Sequence, residues 1–234
     1  MALIDGLVEY FPLSEVSGNR AGLHIPLTLT DNGSTGSATG LVYAKAAQFV
    51  EGGGDFLTAA DEANMSAGDI DFTIAFSVYF DALPAWGRDL ISKDGDGTNE
   101  YNAYMDSTSL KWRVVNSSGS YSERTWSSAL STATWYTIFV DHDSVGNTHG
   151  ISVNAATRQS EPWTTGVRDG ANQFKIGGNN MGGRIGPVLR WNKMLTADER
   201  TEYYNSGTPL TYAAMAASAV KVPIFANHYR QRRS

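Results

Sequence analysis

The chain has 234 residues, with 24 Gly, 7 Pro and no Cys, and 18 Lys and Arg against 24 Asp and Glu give a formal charge of −6. That length suits one large domain that buries its own core, and the missing cysteines exclude disulfides, Cys-ligated zinc, iron–sulfur clusters and a Cys nucleophile. A charged fraction of 18% with 11% aromatics favours strands and turns over helical bundles or disorder, and the acidic balance argues against a nucleic-acid groove.

No apolar run is long enough to span a membrane. At the N-terminus, Asp5 and Glu9 stand where a signal peptide needs a basic start and an apolar core. The expectation is a chain that stays where it is made until something other than secretion releases it.

Short strand candidates come first: "LVEYF" around Val8, "HIPLTLT" around Leu27 and "KAAQF" ending at Phe49. In "DFTIAFSVYF", Phe72, Ile74, Phe76, Val78 and Phe80 point one way and Thr73, Ala75, Ser77 and Tyr79 the other, as in a strand with one deeply buried face. "DLIS" around Ile91 and "EYNAYM" around Tyr104 follow. In "SLKWRV", Leu110, Trp112 and Val114 turn inward and Lys111 and Arg113 outward. "TWYTIFVD" is apolar on both faces, which predicts a central strand with Trp135 in the core. "GISVN", "QFKIGG" and "GRIGPVLRW" complete the set. Turn-rich stretches such as "DNGSTGSATG", "EGGGD", "KDGDGTN", "NSSGS" and "GGNNMGG" separate these runs. Pro26 and Pro187 cannot donate to a ladder and belong at edges or bulges. "LTADERTEYYNSG" reads as one short helix, with Thr196 and Glu199 forming a capping box and Asn205 and Gly207 the stop. A weaker helix is expected over Tyr212 to Val220. The fold class is all-β, a sandwich or barrel with a capped helix after the last strand.

Four segments resemble a known family. "AKAAQFVEGGGDFLTAAD", "DIDFTIAFSVYFDALPAWGRDLISKDG", "TWYTIFVDHDSVGNTHGISVN" and the closing "FKIGGNNMGGRIGPVLRWNKMLTADERTEYYNSG" are similar to laminin-G-like domains of the concanavalin A-like lectin/glucanase superfamily. The sequence departs from the family pattern at Gly186 and at Val50 and Glu51. The resemblance implies a two-sheet antiparallel jelly-roll sandwich over residues 1–207, followed by a C-terminal extension over 208–234. It leaves function open, since one fold hosts many activities. Its members include glycan-binding modules, hydrolases and surface proteins of tailed-phage virions.

The E-x-D-x-E spacing that aims two carboxylates into a glucanase cleft is missing, and there is no G-x-S-x-G elbow or phosphate-binding fingerprint. No catalytic residue is assigned. "KDGDGTNE" offers Asp94, Asp96, Asn99 and Glu100 as oxygen donors for Ca²⁺, or simply an acidic hairpin turn. Trp86, Tyr121, Trp126 and Trp163 lie in polar, loop-like stretches, with Asn179 and Asn180 in a Gly-rich turn. Each ring is either a platform for a sugar or a cap over the open end of the sandwich.

Residues 208–234 hold no acid and four bases, Lys221, Arg230, Arg232 and Arg233. Phe225, Tyr229 and Arg230, Arg232 and Arg233 are candidate assembly contacts with an acidic partner, the alternative being a solvated tail. The functional expectation is a non-enzymatic surface or structural component of a bacteriophage virion. Its partners would be other virion proteins, copies of itself and a host-surface glycan, with no nucleic acid and no membrane insertion. A free carbohydrate-binding module or lectin is the alternative, and a polysaccharide hydrolase or lyase the third reading.

Overall fold

The structure is a computed structural model that describes residues 2–93, 99–178 and 181–219. Two antiparallel eight-stranded sheets face each other. The first runs in the order β14 (Gln159–Pro162), β13 (Thr148–Val153), β12 (Trp135–Asp143), β7 (Phe72–Phe80), β16 (Gly183–Trp191), β5 (Lys45–Phe49) and β4 (Gly36–Thr39), and β1 (Leu7–Phe11) also pairs with β16. The second runs β11 (Tyr121–Thr125), β10 (Ser109–Val115), β9 (Tyr101–Asp106), β8 (Arg88–Lys93), β15 (Phe174–Ile176), β6 (Phe56–Ala59), β3 (Thr28–Asn32) and β2 (Arg20–Ala21). This is the jelly-roll sandwich that the family resemblance implies, and one of the two all-β architectures, sandwich or barrel, that the alternating apolar pattern allows.

Between the sheets lies one core. Phe72, Ile74, Phe76, Val78 and Phe80 of β7 meet Leu110, Trp112 and Val114 of β10 across it. The Trp112 indole N–H donates to the Asp141 carbonyl at 3.0 Å, pinning one sheet to the other. Trp135, expected in this core, is instead half-buried and tilted against Tyr79 with ring centroids 5.5 Å apart. It heads β12 on the face opposite Ile138 and Val140, where the cover has not yet begun. Pro187 sits at a slip in the β16 register between Ile185 and Val188. There the strand exchanges β5 for β1 as its second neighbour, so the missing donor costs no ladder bond.

The other faces of the two sheets differ. On the first, Tyr10, Ala75, Phe139, Leu189 and Trp191 are roofed by Tyr203 of α1 (Ala197–Tyr204) and Met215 of α2 (Tyr212–Ala219). Helix α1 is set by the predicted capping box: Glu199 N–H donates to Thr196 Oγ1 at 3.2 Å, and Thr196 N–H to Glu199 Oε2 at 2.9 Å. Asn205 ends it in the left-handed conformation. The Tyr10 hydroxyl donates to the Leu210 carbonyl at 3.3 Å, so residues just past 207 pack on the sheet. Among the described residues no helix packs on the second sheet, and its outer face carries polar side chains: Thr58, Asp89, Ser92, Asn102, Lys111, Arg113 and Glu123, of which Thr58 and Ser92 are buried by their neighbours. A sheet covered on one face only is the part of this architecture free to meet a partner. Among the described residues no helix is long and apolar enough to cross a membrane.

Candidate functional site

The outer face of the second sheet gathers side chains from three strands, β9, β10 and β11. Cross-strand register places Tyr104 of β9 opposite Lys111 of β10, and Arg113 of β10 opposite Glu123 of β11. Arg113 donates from Nε and Nη2 to Glu123 Oε2 at 3.1 and 2.8 Å, and from Nη2 to the Tyr104 hydroxyl at 2.9 Å. That hydroxyl in turn donates to Glu123. The guanidinium carbon lies 4.6 Å from the Tyr121 ring centroid and 5.2 Å from that of Tyr104, within cation–π range of both. Lys111 closes the lattice, with Nζ 3.0 Å from Asp106 and 3.4 Å from Glu123.

This lattice fixes charge. Burial pushes the Glu123 pKa up, but hydrogen bonds from Tyr104 and Arg113 outweigh it and hold the carboxyl below its ordinary range. Burial and the hydrogen bond to Glu123 keep the Tyr104 phenol protonated. An ionised carboxylate locked to two cations does not suit the proton donation that a glycosidase acid performs.

Beside the lattice opens a cleft of about 220 Å³ lined by Asn99, Arg113, Val115, Gly119, Tyr121 and Arg168. One wall is the turn after β10, where Asn116 Oδ1 accepts the N–H groups of Ser118 and Ser120 at 3.1 and 2.9 Å. The other wall is held by the Arg168 N–H, which donates to the Val115 carbonyl at 2.7 Å. The Arg168 guanidinium has no ion-pair partner among the described residues. The cleft therefore offers two guanidinium groups, an amide and an aromatic face, a donor-rich set suited to an anionic, hydroxylated ligand.

Of the residues the sequence singles out, Tyr121 and Asn99 line this cleft, and Tyr121 is 62% exposed. Trp86 is 65% exposed, lies under the Arg88 guanidinium at 4.6 Å, and adjoins Gly87, which neighbours the Tyr104 ring. Trp126 and Trp163 are half-buried and lean on the inter-sheet core, and the Trp163 indole N–H donates to the Gly166 carbonyl at 2.6 Å. Glu100 is fully buried beside Lys93 at 3.1 Å, away from any open loop surface. Asp94, Asp96, Asn179, Asn180, Phe225, Tyr229, Arg230, Arg232 and Arg233 lie outside the described residues. Among the described residues no three His, Asp or Glu side chains converge as a metal site. Sequence reasoning missed Arg168, Tyr104 and Glu123 as partners. The outward reading of Lys111 and Arg113 was the signal that pointed toward them.

A family model described as the concanavalin A-like lectin/glucanases superfamily matches residues 51–199. The chain belongs to that superfamily. As a member, it shares its fold with toxin binding domains. It resembles the binding domain of Paraclostridial Mosquitocidal Protein 1 at a TM-score of 0.74 and 16% identity, over 87% of this chain and 53% of that one. The Botulinum neurotoxin serotype G binding domain aligns at 0.67 and 12%, over 85% and 50%. Botulinum neurotoxin type C, whose cell entry depends on interaction with two ganglioside molecules, aligns at 0.68 and 12%, over 86% and 51%. The chain thus spans about half the length of these structures, and at such identities the likeness is one of fold. No curated protein sequence matches the chain.

Proposed function

We propose that this superfamily member is a non-catalytic binding module whose open sheet face takes an acidic glycan. The observation that carries the reading is the cleft in which Arg168, free of ion pairs among the described residues, shares a wall set with the Tyr121-stacked Arg113. A carboxylated or sulfated sugar would dock its anion between the guanidinium groups and lay a ring against Tyr121. The fold-level likeness to toxin binding domains, one of which depends on gangliosides, supports a binding role. The ion-paired state of Glu123 supports it over the hydrolase reading.

A glycan array probed with the protein, with Ca²⁺ and with chelator, tests both the ligand class and the calcium expectation. Binding confined to acidic glycans and lost in Arg168→Ala is the expected result. Absence of binding to any glycan, or release of reducing sugar from a polysaccharide, overturns the proposal.

The setting we propose is a bacteriophage virion, in which the basic C-terminal stretch contacts an acidic partner. The support is compositional: four bases and no acid after residue 207. Removal of residues 226–234 should abolish incorporation into particles while leaving the sandwich folded. Unchanged incorporation counts against this setting and leaves the glycan reading intact.

A further inference from the structure

Lys93 ends β8 with its side chain turned toward the inter-sheet core, on the same face as its cross-strand neighbours Phe174 and Tyr101. That side chain is fully buried. Lysine is seldom buried so deeply, because taking its charge out of water is costly. Two carboxyls flank its nitrogen. Nζ donates to Asp61 Oδ1 at 2.8 Å, from the segment after β6, and lies 3.1 Å from Glu100 Oε2, just before β9. The Glu100 N–H donates to the Lys93 carbonyl at 2.8 Å, which holds the two side by side. Glu100 is fully buried as well, whereas the Asp61 side chain is 31% exposed.

An amine sealed from water and pressed against a carboxyl is a nucleophile beside an electrophile. With Nζ 2.8 Å from Oδ1, the Asp61 Cγ one bond further on lies close to the roughly 3–3.5 Å of a near-attack arrangement. Burial disfavours charge on both partners, so proton transfer from the ammonium to the carboxylate within the pair is favoured there over its counterpart in water. Burial also pushes the Glu100 carboxyl up to about 7, against the pull of Lys93 and the Gly170 N–H. A carboxyl that keeps its proton can give one with its O–H and take one with its other oxygen. The exposed side of Asp61 leaves a path for a small leaving group.

We propose that Lys93 and Asp61 condense into an intramolecular amide, with Glu100 as the proton carrier. The ammonium first passes a proton to the Asp61 carboxylate, giving an amine and a carboxylic acid. The Nζ lone pair then attacks Cγ and the N–C bond forms. Glu100 takes a proton from Nζ and gives one to the departing hydroxyl. The Cγ–O bond breaks and water leaves. An ammonium and a carboxylate have become an amide and one water, Glu100 is regenerated, and no oxidant or co-reactant is needed.

The product ties residues 32 apart in the chain and spans β15, which lies between β6 and β8. Such a tie restricts the unfolded chain and fastens the sheet that carries the glycan cleft. Loss of the Lys93 charge removes the pull that opposes burial at Glu100, so the carboxyl stays raised in the linked chain.

Mass spectrometry of the denatured full chain, followed by peptide mapping, tests the proposal. The expected result is a chain lighter by one water than its sequence requires, with a branched peptide joining Lys93 to Asp61. Asp61→Asn should couple by expelling ammonia and reach the same final mass as the linked parent. Asp61→Ala changes an exposed position, so it should fold by circular dichroism and keep its full mass. Glu100→Gln should leave most chains unlinked when the parent is complete, as for a loss of about 100-fold in proton transfer. A parent chain at full mass, a water loss confined to an unbranched peptide, or undiminished linkage in Glu100→Gln overturns the proposal. The cleft at Arg168 is untouched by any of these results.

Discussion

The guanidinium of Arg113 rests 4.6 Å from the Tyr121 ring, and Glu123 holds it there from the neighbouring strand. An arginine so placed is oriented before any ligand arrives, which limits the ordering cost of binding. Tyr121→Ala removes the platform from an exposed position, so stability should change by no more than about 0.5 kcal/mol. Affinity for an acidic glycan should fall about tenfold, as for loss of a stacking face. Denaturant melts and glycan titrations on the same preparation separate the two effects.

Two buried groups give the stability–pH curve opposing slopes. Burial pushes the Glu100 carboxyl up to about 7 from 4.5, with Lys93 pulling it back. The folded chain therefore holds that proton longer than the unfolded one, and the associated stability is full below about 4.5 and lost as pH rises toward 7. Burial holds the His149 imidazole down at about 4 from 6.5, with the positive charge of His142 and Arg158 acting in the same direction. Its contribution is present above about 6.5 and lost as pH falls toward 4. Glu100→Gln should therefore steepen the rise of stability with pH over the shared window and abolish the decline toward 7. Urea midpoints at half-unit pH steps measure this, and a curve identical to the parent's contradicts the assignment.

The cap of α1 is a separable device. Thr196→Ala loses the acceptor for the Glu199 N–H and should destabilise the chain by about 1 kcal/mol. Thr196→Ser keeps the oxygen and should stay near the parent. A thermal melt of the three proteins reads the difference.

Gly177 follows β15 at φ +72, and a Cβ there would collide with the Phe49 ring. Gly177→Ala combines a left-handed backbone with overpacking and should cost roughly 1–3 kcal/mol. The double variant with Phe49→Leu should recover part of the packing cost and none of the backbone cost. Chemical denaturation of both checks the split.

Several of these features were written locally. The alternation in β7 and β10 named which side chains enter the core, and the Thr196–Glu199 spacing named the helix start. The short strands β2, β4, β6, β11 and β14 were not legible, because polar residues such as those of β14 carry little periodicity and pair only through their neighbours. The position of Trp135 was misjudged for a related reason. Alternation places a residue on a face, but only the neighbouring layer decides whether that face is covered.

The sequence by itself determined an all-β chain, sandwich or barrel, with a capped helix, since burial periodicity and capping act over a few adjacent residues, and its resemblance to laminin-G-like domains chose the two-sheet sandwich between them. Tertiary structure alone decided that both helices pack on one sheet and that, among the described residues, no helix covers the other. It also decided that Tyr104, Arg113 and Glu123 form one lattice beside Arg168. The physical reason is register: residues far apart in the chain meet only once strand order and offset are set. Those are properties of the whole pairing, absent from any single segment.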